Sequence, residues 1–282
     1  MAPTTDSAQR IQELKQFDEA KTGVKGLVDS GITSIPSIFI NPPEVLETLK
    51  PSHYTGAEIP TIDLTGVNIP GHREKIVDQI KSAASTVGFF QVIDHGVPLE
   101  VFDRAIAAVG AFHELPGEVK APLYKRGVEG VSLKSNQDLF HSKAAYWRDT
   151  LMVQFDPKPA DPEEIPEDDM GGLQVKYKEG WVDLKPVPGA IVINIGDLLQ
   201  IVSNEEYKSV NHRVLAQSSP EPRISIATFY NPGAVEDVYG PLPELISPEK
   251  PALYREFTCK EYFTKFFTKE VDSTSQPNHF RK

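Results

Sequence analysis

Lys208-Ser209-Val210-Asn211-His212-Arg213-Val214, followed after a polar gap by Pro222-Arg223-Ile224-Ser225-Ile226-Ala227, decides the fold of this chain. Both pieces alternate or run apolar with β-branched residues, the pattern of strands. Ala216-Gln217-Ser218-Ser219-Pro220-Glu221-Pro222 between them is a polar, proline-containing turn. Two successive strands that double back on each other are expected, with His212 on the first and Arg223 on the second. Histidine ligates metals, and arginine grips a carboxylate through two parallel hydrogen bonds. Arg223 and Ser225 are two residues apart, so a strand puts guanidinium and hydroxyl on one face. One anionic ligand is expected to meet both.

Upstream lie Trp181-Val182-Asp183-Leu184-Lys185-Pro186-Val187-Pro188-Gly189-Ala190 and Asn194-Ile195-Gly196-Asp197. Further up are Ile59-Pro60-Thr61-Ile62-Asp63-Leu64 and Gly88-Phe89-Phe90-Gln91-Val92-Ile93-Asp94-His95-Gly96-Val97. With these motifs the chain resembles the plant 2-oxoglutarate- and Fe(II)-dependent dioxygenases, and most of all their 1-aminocyclopropane-1-carboxylate oxidase homologues. The resemblance extends over nearly the whole chain. It implies a mixed α and β, mainly β fold, with a double-stranded β-helix (jelly-roll) core and an N-terminal α/β region. It also implies Fe(II) on two histidines and one carboxylate, with His212 as a ligand. Arg223 and Ser225 would anchor 2-oxoglutarate, ascorbate would be the reductant, and the substrate would be a small plant metabolite, oxidised or hydroxylated.

The same resemblance exposes a gap, and the jelly-roll is expected to be incomplete here. The family carries a His-x-Asp on an early jelly-roll strand, which supplies the other two iron ligands. It belongs between the Asp156-to-Glu167 region and Gly171-Gly172-Leu173-Gln174-Val175, yet Pro166-Glu167-Asp168-Asp169-Met170 joins directly to Gly171. None of the histidines at 53, 72, 95, 113, 141, 212 and 279 begins a His-x-Asp. His72-Arg73-Glu74 is a His-x-carboxylate, but it opens an expected surface helix and is better taken as a solvated helix start. The family's tyrosine partner for 2-oxoglutarate belongs to the same block. No catalytic residue is therefore assigned.

Composition narrows the remaining classes. Asp+Glu 40 against Lys+Arg 29 gives a net charge of −11, which disfavours nucleic acid and anionic membranes as partners. One cysteine, Cys259, excludes an internal disulfide framework and fits a reducing compartment. The N-terminus lacks a basic segment followed by an apolar one, and no run approaches a membrane span, so the cytoplasm is expected. A hydrophobic share of 39% with mean hydropathy −0.31 is ordinary for a globular chain.

Four regions are expected. Residues 1–58 form an N-terminal extension, with a short amphipathic helix over 7–22 (Ile11, Leu14, Phe17) and an extended, proline-punctuated stretch from Phe39 to Pro51. Residues 59–155 form the non-haem dioxygenase N-terminal region. It is read as a strand at Ile59–Leu64, a helix Arg73–Val87 stopped by Gly88, and a buried strand Phe89–Ile93. A helix from Leu99 to His113 and a strand over Tyr146–Phe155 follow. His95 is read as a polar turn residue, Trp147 as core, and Arg148 and Asp149 as local polar partners.

Residues 156–170 are an acidic, proline-rich junction in which a helix start is never followed by an apolar stripe. Residues 171–282 hold the truncated jelly-roll. Here a hairpin is expected with Gly180 at a positive φ, then a strand Ala190–Ile195 covered on both faces, a short helix capped by Asp197, and an amphipathic helix Cys259–Glu270.

Two functional classes stay open. One is an oxygenase of this family. The other is a non-catalytic product of altered splicing or a faulty gene model, either unstable or acting only as a binding partner. Missing strands would leave exposed edges open to self-association.

Overall fold

The computed structural model describes residues 5–48, 58–125, 130–136, 139–140, 142–153, 172–215, 222–230, 236–267 and 276–282. The chain divides into two compact units: residues 1–50, 103–166 and 269–271 form the first, and 51–102, 167–268 and 272–282 the second. Among the described residues no helix is long and apolar enough to cross a membrane.

In chain order the elements are α1 (Thr5–Ala20), α2 (Gly23–Asp29), α3 (Pro43–Thr48), β1 (Thr61–Asp63), α4 (His72–Thr86), β2 (Phe89–Ile93), α5 (Leu99–Glu114) and α6 (Gly117–Lys120). Then come β3 (Val131–Lys134), β4 (Thr150–Val153), β5 (Leu173–Tyr177), β6 (Gly180–Asp183), β7 (Ile191–Asn194), α7 (Asp197–Val202), β8 (His212–Val214), β9 (Val238–Tyr239), β10 (Phe257–Thr258) and α8 (Cys259–Phe267). Helix outweighs strand among them, against the expected mainly β content. No sheet of described residues exceeds three strands.

In the first unit, Leu14 and Phe17 stand one turn apart on α1 and bury against Val24, Ile38, Phe39, Leu139 and Ala145. Phe39 sits edge-on to Phe17 and to Trp147, with ring centroids 5.3 and 4.9 Å away, so Trp147 is core as expected. Asp149 is no local partner: its two carboxylate oxygens accept the amides of Val24 (2.9 Å) and Lys25 (2.8 Å), far away in sequence. These are first-turn donors of α2, which its own cap residue Thr22 leaves without a side-chain acceptor. Gly23 has a φ of +68°, and a Cβ there would lie 2.4 Å from Asp149 Oδ1. Only glycine lets the carboxylate come so close. The antiparallel pair β3–β4 completes this unit. The strand expected over Tyr146–Phe155 is thus confined to Thr150–Val153 among the described residues. The expected extended stretch after Phe39 contains α3 instead, with Pro43 at its first position, where proline's missing N–H costs nothing.

In the second unit, α4, a three-stranded sheet and a second three-stranded sheet lie in layers. The first sheet has the order β1-β2-β7, parallel at β1–β2 and antiparallel at β2–β7. Phe90 and Val92 of β2 point to Ile76 and Ala83 of α4. Phe89 points the other way, into Val175, Val182 and Leu184 of the second sheet side. That sheet has the order β6-β5-β8, antiparallel throughout. A further cluster of Ile201, Tyr254, Phe257, Tyr262 and Phe280 closes around α7 and α8.

Several local expectations are corrected here. Burial alternates along β7, with Val192 37% exposed, so the strand is covered on one face only; among the described residues it is also the edge of its sheet. In the β5–β6 turn the positive φ falls on Lys178 (+51°), while Gly180 already pairs with Tyr177 as part of β6. Asp197 does not cap α7; it lies inside the first turn, and its Oδ1 accepts the Ser209 hydroxyl at 2.5 Å. The expected junction at 156–170 lies outside the described residues.

Gly88, at φ +74°, turns α4 into β2 within two residues, and a Cβ there would meet Lys208 O at 2.3 Å and Val210 Cγ2 at 2.6 Å. At Gly71, φ +77°, nothing lies within 4 Å. Gly88→Ala is expected to cost about 3 kcal/mol of stability against about 1 kcal/mol for Gly71→Ala, since only the former adds a clash to the left-handed strain. Urea unfolding of both variants checks this; equal losses would remove the close approach as the cause.

Candidate functional site

The register of the β6-β5-β8 sheet fixes which side chains share a face. Val175 pairs with both Val182 and His212, and Gln174 with both Asp183 and Arg213. Alternation then sends His212 to the core-facing side, beside Val175, and Arg213 to the opposite side. The His212 ring sits edge-on to Phe89, with centroids 5.3 Å apart, and is otherwise exposed. Its Nδ1 lies 3.4 Å from Val210 O. A proton held there leaves the Nε2 lone pair available to a ligand. β8 is an edge strand among the described residues.

The opposite face carries a polar chain that the sequence analysis did not single out. Gln174, 1% exposed, donates its amide to Asp183 Oδ1 (2.7 Å) and accepts from Arg213 Nε (2.8 Å). The guanidinium also lies over the Trp181 ring, 4.1 Å from its centroid, and Lys176 Nζ approaches the same ring at 5.5 Å. Desolvation holds the Arg213 pKa below its usual value, with the Asp183 charge acting against that shift. Together these contacts fix the strand that bears His212, because three strands are tied through one buried amide. The signal was present in Gln174, Lys176, Trp181 and Asp183, polar or aromatic at period two around the valines.

Arg223 and Ser225 are placed differently from the expectation. Residues 222–230 carry no strand, and β8 pairs only with β5 among the described residues. The structure therefore does not bring His212 and Arg223 onto a doubled-back strand pair. Arg223 is half-buried and Ser225 exposed. Within the same stretch Ile226, Phe229 and Tyr230 are 48%, 79% and 98% exposed, an apolar run with no strand partner among the described residues.

Two other histidines keep the bland roles given to them. His72 opens α4 and is exposed. His95 is locked at the end of β2: Nε2 lies 2.8 Å from Gly189 O, and Nδ1 accepts the Val97 amide at 3.2 Å. That pairing makes Nε2 the protonated nitrogen and occupies both. Among the described residues no group of three His, Cys, Asp or Glu side chains converges as a metal site. The seven acids of 156–169 lie outside the described residues.

Comparison with known proteins places this geometry. The family described as non-haem dioxygenase in morphine synthesis N-terminal matches residues 59–172, and the 2OG-Fe(II) oxygenase superfamily matches residues 165–232. The chain is 36% identical to 1-aminocyclopropane-1-carboxylate oxidase homolog 1 of Arabidopsis thaliana, over 97% of each chain. It is 32% identical to the homolog from Solanum lycopersicum, over 98% of each. The Arabidopsis match spans 354 positions, 72 more than the 282 residues of this chain. Among solved structures, JOX2 in complex with 2OG, Fe and JA is similar at a TM-score of 0.72 and 25% identity, covering 92% of this chain and 97% of that one. The dioxygenase for auxin oxidation in rice shares the fold at a TM-score of 0.56 and 20% identity, covering 80% of this chain and 100% of that one.

Removing the shared amide should loosen the His212 strand. Gln174→Leu leaves Arg213 Nε and Asp183 Oδ1 without their partner and is expected to cost about 2 kcal/mol. Amide hydrogen exchange should rise at Arg213 and at Leu215, whose amide donates to Gly172 O, more than at β1 or β2. Unchanged exchange in β8 would show that the amide does not hold the strand.

Proposed function

We propose, for a chain that belongs to the 2OG-Fe(II) oxygenase superfamily and within it to the 1-aminocyclopropane-1-carboxylate oxidase homologues, a non-catalytic remnant of the oxygenase site. In this reading His212 is one iron ligand, Arg223 and Ser225 are the 2-oxoglutarate anchor, and the other half of the site is missing. The observation that carries it is the sequence itself, in which no His-x-Asp occurs. The 72 surplus positions of the Arabidopsis match support an omitted internal block, which we assign to the junction at Glu167–Gly171.

Oxygenases of this kind hold Fe(II) on two imidazoles and a carboxylate sharing one face, with open positions for the co-substrate and O2. The described residues do not fit that ion: His212 stands on a strand edge against Phe89, with no converging carboxylate or second imidazole. A single neutral ligand neither offsets the metal's charge nor fixes its geometry. Arg223 and Ser225 keep the chemistry for a dicarboxylate, but such binding has no catalytic outcome without a metal to chelate the keto acid end. In a longer form carrying the block, the activity would be oxidation or hydroxylation of a small plant metabolite in the cytoplasm. The neighbour solved with 2OG, Fe and JA supports that class. The alternative role as a binding partner or self-associating chain is favoured by β8, an edge strand among the described residues, and by the exposed Phe229 and Tyr230.

Anaerobic titration with Fe(II), or with Mn(II) as a redox-inert stand-in, is expected to show no tight stoichiometric site. Decarboxylation of 2-oxoglutarate with Fe(II) and ascorbate should be absent. Inserting a family-like segment with a His-x-Asp between Glu167 and Gly171 should restore both together. One tight metal equivalent lost in His212→Ala, or turnover by the chain as written, would sink the proposal.

The anchor is tested separately. Weak, salt-sensitive 2-oxoglutarate binding should fall about tenfold in Arg223→Lys, because an ammonium cannot reproduce the planar two-point contact. Equal binding by wild type and Arg223→Ala would remove Arg223 from the site.

A further inference from the structure

We propose that Ser247 is a phosphorylation site for a proline-directed protein kinase, and that the phosphate draws Lys250 away from Glu206. Ser247-Pro248-Glu249-Lys250 places a proline directly after a hydroxyl residue and a lysine three positions on. Each neighbour has a chemical use in a kinase groove. Proline brings no backbone N–H, so a groove without an acceptor at that position admits it and penalises other residues. It also biases the residue before it towards the extended backbone in which a substrate segment is held. The lysine supplies a cation to an anionic group of the kinase. One other serine in the sequence precedes a proline, Ser219, and no threonine does. Three positions after Ser219 stands Pro222, which carries no charge.

The second unit presents this tetrapeptide at its surface. From Leu242 to Lys250 every residue except Leu245 is exposed. The stretch is held at its two ends. Leu242 N donates to Val202 O at 3.0 Å, at the end of α7. Just beyond Lys250, the Asn204 side chain holds Pro251 O at 3.1 Å and Leu253 N at 2.9 Å. Between these anchors the hydrogen bonds of Ser247 stay within its own turn. Its amide donates to Lys250 O at 3.0 Å, and the Lys250 amide returns to Ser247 O and Oγ, both at 3.1 Å. The hydroxyl itself donates to Glu249 Oε2 at 2.8 Å. Every residue of that turn is exposed, so it opens into a kinase groove while the Asn204 anchor stays in place.

The phosphoryl donor is ATP. Ser247 Oγ bonds to the γ-phosphorus as the bond from that phosphorus to the bridging oxygen breaks. ADP leaves, and the hydroxyl proton passes to the catalytic carboxylate of the kinase. A neutral hydrogen-bond donor is thereby replaced by a group of about −1.5 to −2 charge. Glu249, whose carboxyl is held below its usual pKa chiefly by the Ser247 hydroxyl, loses that hydrogen bond and meets a like charge. Lys250 Nζ pairs with Glu206 Oε2 at 3.4 Å, and both side chains are partly exposed. A phosphate on the same turn, with more charge and three acceptor oxygens, outcompetes that single carboxylate for the ammonium.

The test is incubation of the full chain with a cyclin-dependent protein kinase, magnesium and ATP, the modified residue being located by mass spectrometry. Transfer to Ser247 is expected, abolished in Ser247→Ala and retained in Ser219→Ala. Lys250→Gln should lower kcat/KM for the transfer about tenfold. His212→Ala should be modified as wild type is, which keeps the result distinct from the oxygenase site. In NMR spectra the Glu206 side-chain resonances of the phosphorylated chain should move to their positions in unphosphorylated Lys250→Gln, since both have lost the same partner. Absence of transfer to Ser247, preference for Ser219, an unchanged kcat/KM in Lys250→Gln, or Glu206 resonances unmoved by phosphorylation would each overturn the proposal.

Discussion

Burial of β2 on both faces is the constraint on which the second unit depends. One strand of five residues gives Phe90 and Val92 to α4, and Phe89 and Gln91 to the opposite side, so it sits in the middle of the layers rather than on top of them. A side chain of this size, fully buried, contributes about 2–3 kcal/mol by area alone, and two phenylalanines in succession contribute to different cores. The polar member has a cost. Gln91, 3% exposed, donates to Lys185 O at 3.2 Å, and its Oε1 has no partner among the described residues. Placement of Gly88 follows from the same demand, because a strand that must start at once beneath a helix needs a sharp left-handed turn.

The elements read most easily from sequence were those whose burial repeats. α4 and β2 were legible because Ile76, Ala83 and Ala84, and the Phe89–Ile93 run, follow helical and continuous-strand patterns set by what covers them. α3 was hidden because proline punctuation marks a helix start as readily as an extended stretch. The both-faces-covered expectation for Ala190–Ile195 failed for a different reason: a continuous apolar run does not reveal that one face is left open. At the site, His212 on a strand was legible and its partner strand was not. Arg223-Ile224-Ser225 has strand-like composition, but pairing is a property of two segments, and composition describes only one. Asp149 was misjudged because the two α2 amides it accepts lie more than a hundred positions away, beyond any local pattern.

The hydrophobic core bears on the proposed gap. It falls into separate clusters, each closed by neighbours within its own unit: Leu14 to Ala145 in the first, and three groups around Phe89, Phe90 and Phe280 in the second. A core divided in this way would tolerate the proposed omission better than one continuous core, because each cluster is built from residues that the chain carries. A metal site has no such tolerance. Three ligands from different strands must meet within a few tenths of an ångström, and two of three give no partial geometry. Packing can be conserved in pieces where chemistry cannot.

The carboxylate of Asp149, bound to the amides of Val24 and Lys25, sets an order of events during synthesis. The chain leaves the ribosome from its N-terminus, so α2 emerges some 125 residues before the group that completes its first turn. A seven-residue helix is too short to persist alone in water. Ile38 and Phe39 are made soon after α1 and α2, but the first turn of α2 lacks its acceptor until Asp149 arrives, and that contact carries high loop-closure entropy. During that interval the cluster of Leu14, Phe17, Val24, Ile38 and Phe39 still lacks Leu139 and Ala145, the later residues that complete it.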